Sequence, residues 1–179
     1  MFENVFTVAV LDYDVLSDCY DELYGGEQLR KYREVLYIFE PLQCSRVLDV
    51  GCGTGLLIRF LRENGVLCEY VGVDISSGMM EKASGRADSM THLIMADAHH
   101  LPFRDNVFDV LSSFTVIHHL NVFGFLAEAS RVCGNILVVT QHKRLSPRIE
   151  HNIRESNTAD EIVVITRPAV LRQASGSSG

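Results

Sequence analysis

Apolar residues recur along this chain in two alternating rhythms. Leu11, Val15, Leu16, Cys19, Tyr20, Leu23 and Tyr24 stand at helical spacing, and Gly25-Gly26 punctuates that pattern. Leu29, Tyr32, Arg33, Val35, Leu36, Ile38 and Phe39 predict a second helix before Pro41. From Val47 onward short apolar runs replace the long stripes. Residues 45–50, 69–74, 92–97, 108–114 and 135–140 read as strands, each followed by a turn, loop or helical stretch. Helices are expected over 54–64, from Ser77 with Ser76 as N-cap, and from Val122 to Cys133. Ser146 to Ser156 reads as one polar helix, and Glu161-Ile162-Val163-Val164-Ile165-Thr166 as a last strand stopped by Arg167-Pro168. Strands that alternate with helices predict an α/β fold with a mostly parallel, doubly wound sheet.

The stretch Val47-Leu48-Asp49-Val50-Gly51-Cys52-Gly53-Thr54-Gly55 concentrates the candidate chemistry. A buried strand runs into alternating glycines and opens into a helix whose free N–H groups face the turn. Glycine permits the sharp turn and the close approach of a ligand. A dinucleotide fingerprint would place its third glycine at Leu56, one residue later than Gly55. Asp49, just before the first glycine, also disfavours a pyrophosphate and suits a ligand with an amine and a sulfonium.

These residues resemble motif I of the class I S-adenosylmethionine-dependent methyltransferases, and the resemblance runs to about residue 140. It implies a Rossmann-like sheet of order 3-2-1-4-5, with helices on both faces. Only one clear strand is left for the C-terminal edge, which is therefore expected to be shortened. It also implies three segments: an N-terminal helical lid over 1–43, a core over 44–168 and a flexible tail over 169–179. Ser175 to Gly179 has the composition of an appended linker.

Asp74 ends the second strand about twenty residues past the glycine turn, where a carboxylate accepts from ribose hydroxyls. Ile75 offers an apolar edge to adenine. By resemblance Met79 packs on adenine, Asp97 accepts from the adenine amino group, and the backbone N–H of Ala98 donates to a ring nitrogen. Each has a plainer reading, as helix packing for Met79 and as a turn cap for Asp97. Gly51, Cys52 and Gly53 form the turn, and Phe114 ends the fourth strand beside it. Tyr13, Tyr20 and Tyr24 are the lid candidates, able to hold a sulfonium by cation–π attraction or simply to pack.

His118 and His119 fall in a region that resembles motif IV of the small-molecule type and lacks Asn-Pro-Pro-Tyr. They read as a substrate wall or as a general base. His99 and His100 are adjacent, without the spacing of a metal pair, and read as loop residues. No metal site is expected.

Composition narrows the partners. The 179 residues are 47% apolar with a formal charge of −7. That suits a single globular domain and disfavours unaided binding to nucleic acid, so no stable DNA binding is expected. The five cysteines form no C-x-x-C pair, as in a reduced cytoplasmic protein. No apolar run reaches the roughly 18 residues of a membrane span. The first expectation is methyl transfer from S-adenosyl-L-methionine to a small molecule. The alternatives are a tRNA or rRNA methyltransferase working with an activating protein partner, and a cofactor-binding regulatory subunit that transfers nothing.

Overall fold

The computed structural model describes residues 12–41, 45–144, 149, 153–156, 158 and 160–166. Leu11, Cys44 and the tail expected over 169–179 lie outside the described residues.

Seven strands form one sheet of order β3-β2-β1-β4-β5-β7-β6. They are β1 (Arg46–Val50), β2 (Glu69–Asp74), β3 (Thr91–Met95), β4 (Phe108–Ser113), β5 (Cys133–His142), β6 (Ile153–Glu155) and β7 (Asp160–Thr166). The first five run parallel, and β7 pairs antiparallel with both β5 and β6. Parallel strands need a crossover between them, which is why helices separate most of these runs. Two apolar layers result, because successive side chains on a strand leave opposite faces. Val47 and Tyr70 pack with α2 (Tyr20–Phe39) and α3 (Leu56–Glu63) on one face; Leu48, Val50, Val71 and Val73 pack with α5 (Val122–Val132) on the other. Asp49 therefore faces the α2–α3 layer.

The short helix α1 (Tyr13–Leu16) precedes α2, and α4 (Ser77–Ser84) follows β2. The helix break expected at Gly25-Gly26 falls instead at Ser17 to Cys19, and α2 runs straight through both glycines. Gly25 is buried, and a Cβ placed on it would sit 3.6 Å from Leu56 of α3. Packing of one apolar face outweighs the cost of about 1 kcal/mol that each helical glycine carries.

The polar helix expected over 146–156 is also corrected, since Ile153–Glu155 is strand β6. Antiparallel pairing with β7 supplies the backbone partners that a local reading of this polar stretch did not foresee. Two antiparallel strands, β7 and β6, build the C-terminal edge where only one was expected, so the edge is not cut back to a single strand. Parallel order reverses between β1 and β4, whose carboxyl ends open the crevice where such sheets bind ligands.

Candidate active site

The turn after β1 sits in that crevice. Gly51, Gly53 and Gly55 all have positive φ, at 73°, 53° and 76°. A Cβ on Gly51 would lie 2.3 Å from Val116 Cγ2, so only glycine fits there. The Gly51 and Cys52 N–H groups both donate to the Val73 carbonyl, at 2.7 and 3.0 Å, which ties the turn to β2.

A cleft of about 800 Å³ opens over this turn. It gathers most of the residues singled out by sequence. Gly51 and Gly53 line it, with Asp74, Ile75 and Met79 from the β2–α4 segment, Asp97 and Ala98 from the end of β3, and Phe114 from the end of β4. His118, His119, Tyr13 and Tyr20 complete it. Asp49 and Cys52 instead line a neighbouring void of about 20 Å³, with Gln28 and Tyr32. Tyr24 lines neither; its ring packs 5.1 Å from that of Tyr20.

The three carboxylates are held differently. Asp49 is buried and accepts from the Tyr70 hydroxyl at 2.5 Å and from Ser112 Oγ at 2.7 Å. Burial pushes its pKa up to about 6, with those two donors pulling the other way. Asp74 accepts from the Gly53 N–H at 2.9 Å and the Ser76 N–H at 3.0 Å. Burial raises its pKa too, opposed by those backbone donors. Asp97 is about half exposed and is held below the usual range by the His99 backbone N–H and then by the His99 ring.

His99 is more than a loop residue. Its Nδ1 meets Asp97 Oδ1 at 2.8 Å, and its Nε2 accepts from the Asn121 N–H at 3.0 Å. That fixes the tautomer and couples the end of β3 to the start of α5.

His118 and His119 lie on a short 3₁₀ turn, Ile117–His119, with ring centroids 3.9 Å apart. Burial lowers the pKa of both. Tyr13 Oη lies 2.6 Å from His119 Nε2, so the N-terminal segment touches the post-β4 turn across the cleft. Burial pushes the Tyr20 phenol up to about 12, so it stays a neutral hydroxyl at physiological pH.

Polar ties seat the N-terminal segment. Asp14 Oδ1 accepts from Ser76 Oγ at 2.6 Å and from the Gly78 N–H at 2.8 Å, capping α4 from outside. Asp18 pairs with Lys82 at 2.6 Å, and Asp21 binds both Thr54 Oγ1 at 2.6 Å and Arg86.

Thr115, in the segment after β4 that the sequence places at the site, was not singled out there. It lines the cleft at φ 62°, rare for a β-branched residue. Gln28 and Lys31 stand behind it, and no local spacing in the sequence signals that they converge on a residue 84 or more positions away. Among the described residues, none that lines the cleft is lysine or arginine, no group of three ligating side chains could hold a metal, and no helix is long and apolar enough to cross a membrane.

The chain is similar to known proteins. The methyltransferase domain family matches residues 48–135. The malonyl-[acyl-carrier protein] O-methyltransferase of Geobacter sulfurreducens is 34% identical over 137 residues, covering 74% of this chain and 48% of the relative. The ubiquinone/menaquinone biosynthesis C-methyltransferase of Dinoroseobacter shibae is 32% identical over 155 residues, covering 81% and 60%. The chain thus spans about half the length of the curated relatives it matches. A Haloferax volcanii methyltransferase, solved in complex with the Trm112 methyltransferase activator, superposes with a TM-score of 0.66 at 22% identity over 74% of this chain and 61% of that one. The glycine turn at the β1 tip, the acid at the β2 tip, the 3-2-1-4-5 order and these sequence matches converge: the chain belongs to the class I S-adenosylmethionine-dependent methyltransferases.

Proposed function

We propose that the protein transfers a methyl group from S-adenosyl-L-methionine to a small-molecule acceptor. The observation that carries this reading is the Asp74 carboxylate, oriented by two backbone N–H groups at the mouth of a cleft lined by acids and apolar side chains. Such a lining fits a nucleoside with free ribose hydroxyls and a positive sulfur better than one carrying phosphates. When bound, the cofactor supplies a methyl carbon activated by that sulfur.

The chain's own residues do the positioning. Asp74 accepts from the ribose hydroxyls. Ile75 and Met79 flank the adenine. Asp97 and the Ala98 N–H read its edge. Gly51 and Gly53 let the methionine portion approach the backbone, near Asp49 and Cys52. The segment through α1 and α2 acts as the lid, with Tyr13 and Tyr20 facing the sulfonium and Tyr24 bracing Tyr20. Phe114 and the two histidines wall the acceptor. Where the acceptor must lose a proton, His118 or His119 takes it, since burial favours the neutral imidazole that can accept one. Holding nucleophile, methyl and sulfur in line is worth on the order of several kcal/mol.

The small-molecule acceptor follows the similarity to the ubiquinone/menaquinone biosynthesis C-methyltransferase. A partner-assisted reading is favoured by the Haloferax volcanii complex and by exposed Met95 at the end of the edge strand β3. In that reading an activating subunit completes the site for a tRNA or rRNA substrate. Buried, free Cys52, Cys68 and Cys133 fit a reducing, cytoplasmic setting.

The test is incubation with methyl-labelled cofactor and a fractionated cell extract. Label in the low-molecular-weight fraction is expected. Label in RNA that appears only with a partner protein would shift the reading to the second, and no transfer to any fraction despite cofactor binding would overturn both.

A further inference from the structure

Thr115 carries an inference that rests on the methyltransferase reading of the same cleft. Lys31 is fully buried, and its ammonium reaches three oxygens: Glu27 Oε1 at 2.9 Å, Asp160 Oδ2 at 2.5 Å and Thr115 Oγ1 at 2.8 Å. An ammonium can only donate, so the Thr115 oxygen accepts. Gln28 Nε2 donates to the same oxygen at 2.9 Å.

A hydroxyl has two lone pairs and one proton. Both lone pairs of Thr115 are taken from behind. Its proton has no acceptor among the described residues, and the residue lines the cleft. The backbone is held in place for this: the Thr115 N–H donates to Thr140 Oγ1 at 2.7 Å, fixing the positive φ. Strain of this kind persists where surrounding contacts over-determine it, and such sites cluster where ligands bind.

We propose that Thr115 is a ligand-binding donor whose hydroxyl, with its lone pairs filled by Lys31 and Gln28, gives its proton to an oxygen of the methyl acceptor. The matching chemistry is a carbonyl, enolate or phenolate oxygen. A protonated amine at that point would bring a second donor against a donor. The buried Lys31 charge polarises the hydroxyl and strengthens the bond to an anionic oxygen. Val116, His118 and Leu120 of the same wall supply apolar and imidazole surface for the rest of an aromatic or conjugated acceptor.

The probe is 4-nitrophenol, whose phenolate absorbs in the visible, added to protein saturated with S-adenosylhomocysteine. The bound probe is titrated spectroscopically in the wild type and in Thr115→Ser, Thr115→Val and Thr115→Gly. Glycine removes the hydroxyl while suiting the positive φ, so it remains informative if the valine variant folds poorly. The expected midpoint in wild type and Thr115→Ser lies about one pH unit below that in the hydroxyl-free variants. Equal midpoints in all four, or no binding of the probe, would overturn the proposal. Calorimetry with S-adenosylhomocysteine runs alongside, and its affinity is expected to change less than about threefold in the variants. A tenfold loss in both Thr115→Val and Thr115→Gly would assign the hydroxyl to the cofactor's carboxylate and overturn the acceptor assignment. Wild-type protein that takes up no S-adenosylhomocysteine would fell the cofactor reading first, and this one with it.

Discussion

Replacing Asp74 with alanine tests the cofactor half of the site. In the folded protein the carboxylate accepts from the Gly53 and Ser76 N–H groups at 2.9 and 3.0 Å and has lone pairs left over for the cleft. Two ribose hydroxyls donating to a carboxylate form charge-assisted bonds worth about 1.5–3 kcal/mol each. Taking the lower figure for both gives about 3 kcal/mol, or roughly a hundredfold loss of affinity. The orphaned backbone donors sit in a turn that water can reach, so the stability cost is about 1 kcal/mol. Calorimetry with S-adenosylhomocysteine reads the first quantity and urea unfolding the second. Asp74→Asn keeps the volume but sets an amide against N–H donors, and it is expected to fall between wild type and alanine. A folded Asp74→Ala protein that binds within about threefold of wild type would refute the ribose assignment, since no weaker role needs a carboxylate fixed at two points.

Three further outcomes follow from the geometry. Gly51→Ala forces a Cβ to 2.3 Å from Val116 at positive φ and should lose at least about 2 kcal/mol of stability, read by denaturant unfolding; an unchanged midpoint would mean the turn is wrongly described. Asp49 titrates near 6 when folded against a reference of 3.8, so the folded state holds more protons between those values. Its contribution is therefore fully present below about pH 4 and lost as pH rises through about 6, an amount of about 3 kcal/mol; Asp49→Asn should flatten the stability–pH curve over that window, and parallel curves for the two proteins would contradict this. Lys31→Met strands buried Asp160 and should cost about 3–5 kcal/mol, much of which the added change Asp160→Asn should restore; additive losses would show that the two side chains do not act as a pair.

Much of the site was readable from local pattern because its parts are local. The glycine turn, the acid that ends β2 and the Ser76 cap each leave a signature within a few residues of sequence. Ser76 Oγ accepts from the Met79 N–H at 3.2 Å, as its position before the helix predicts. Asp49 was legible as the acid before the glycine turn, but its burial and its partners were not. Its partners Tyr70 and Ser112 come from the two flanking strands, and only sheet pairing brings them to its carboxylate. Tyr13 was legible as a lid candidate, whereas its bond to His119 spans 106 positions.

The sequence by itself determined the alternation of strand and helix, the mostly parallel sheet, the three glycines and the acid at the tip of β2. All of these follow from periodicities and backbone freedom that act over short distances. Only the tertiary structure decided that α2 passes through Gly25-Gly26, that Ile153–Glu155 pairs as a strand, and that Lys31 and Gln28 converge on Thr115. In each case a distant partner outweighs the local preference. Burial against α3, pairing with β7 and a buried charge seeking acceptors have free energies that depend on which distant surfaces meet, and no window of neighbouring residues contains that information.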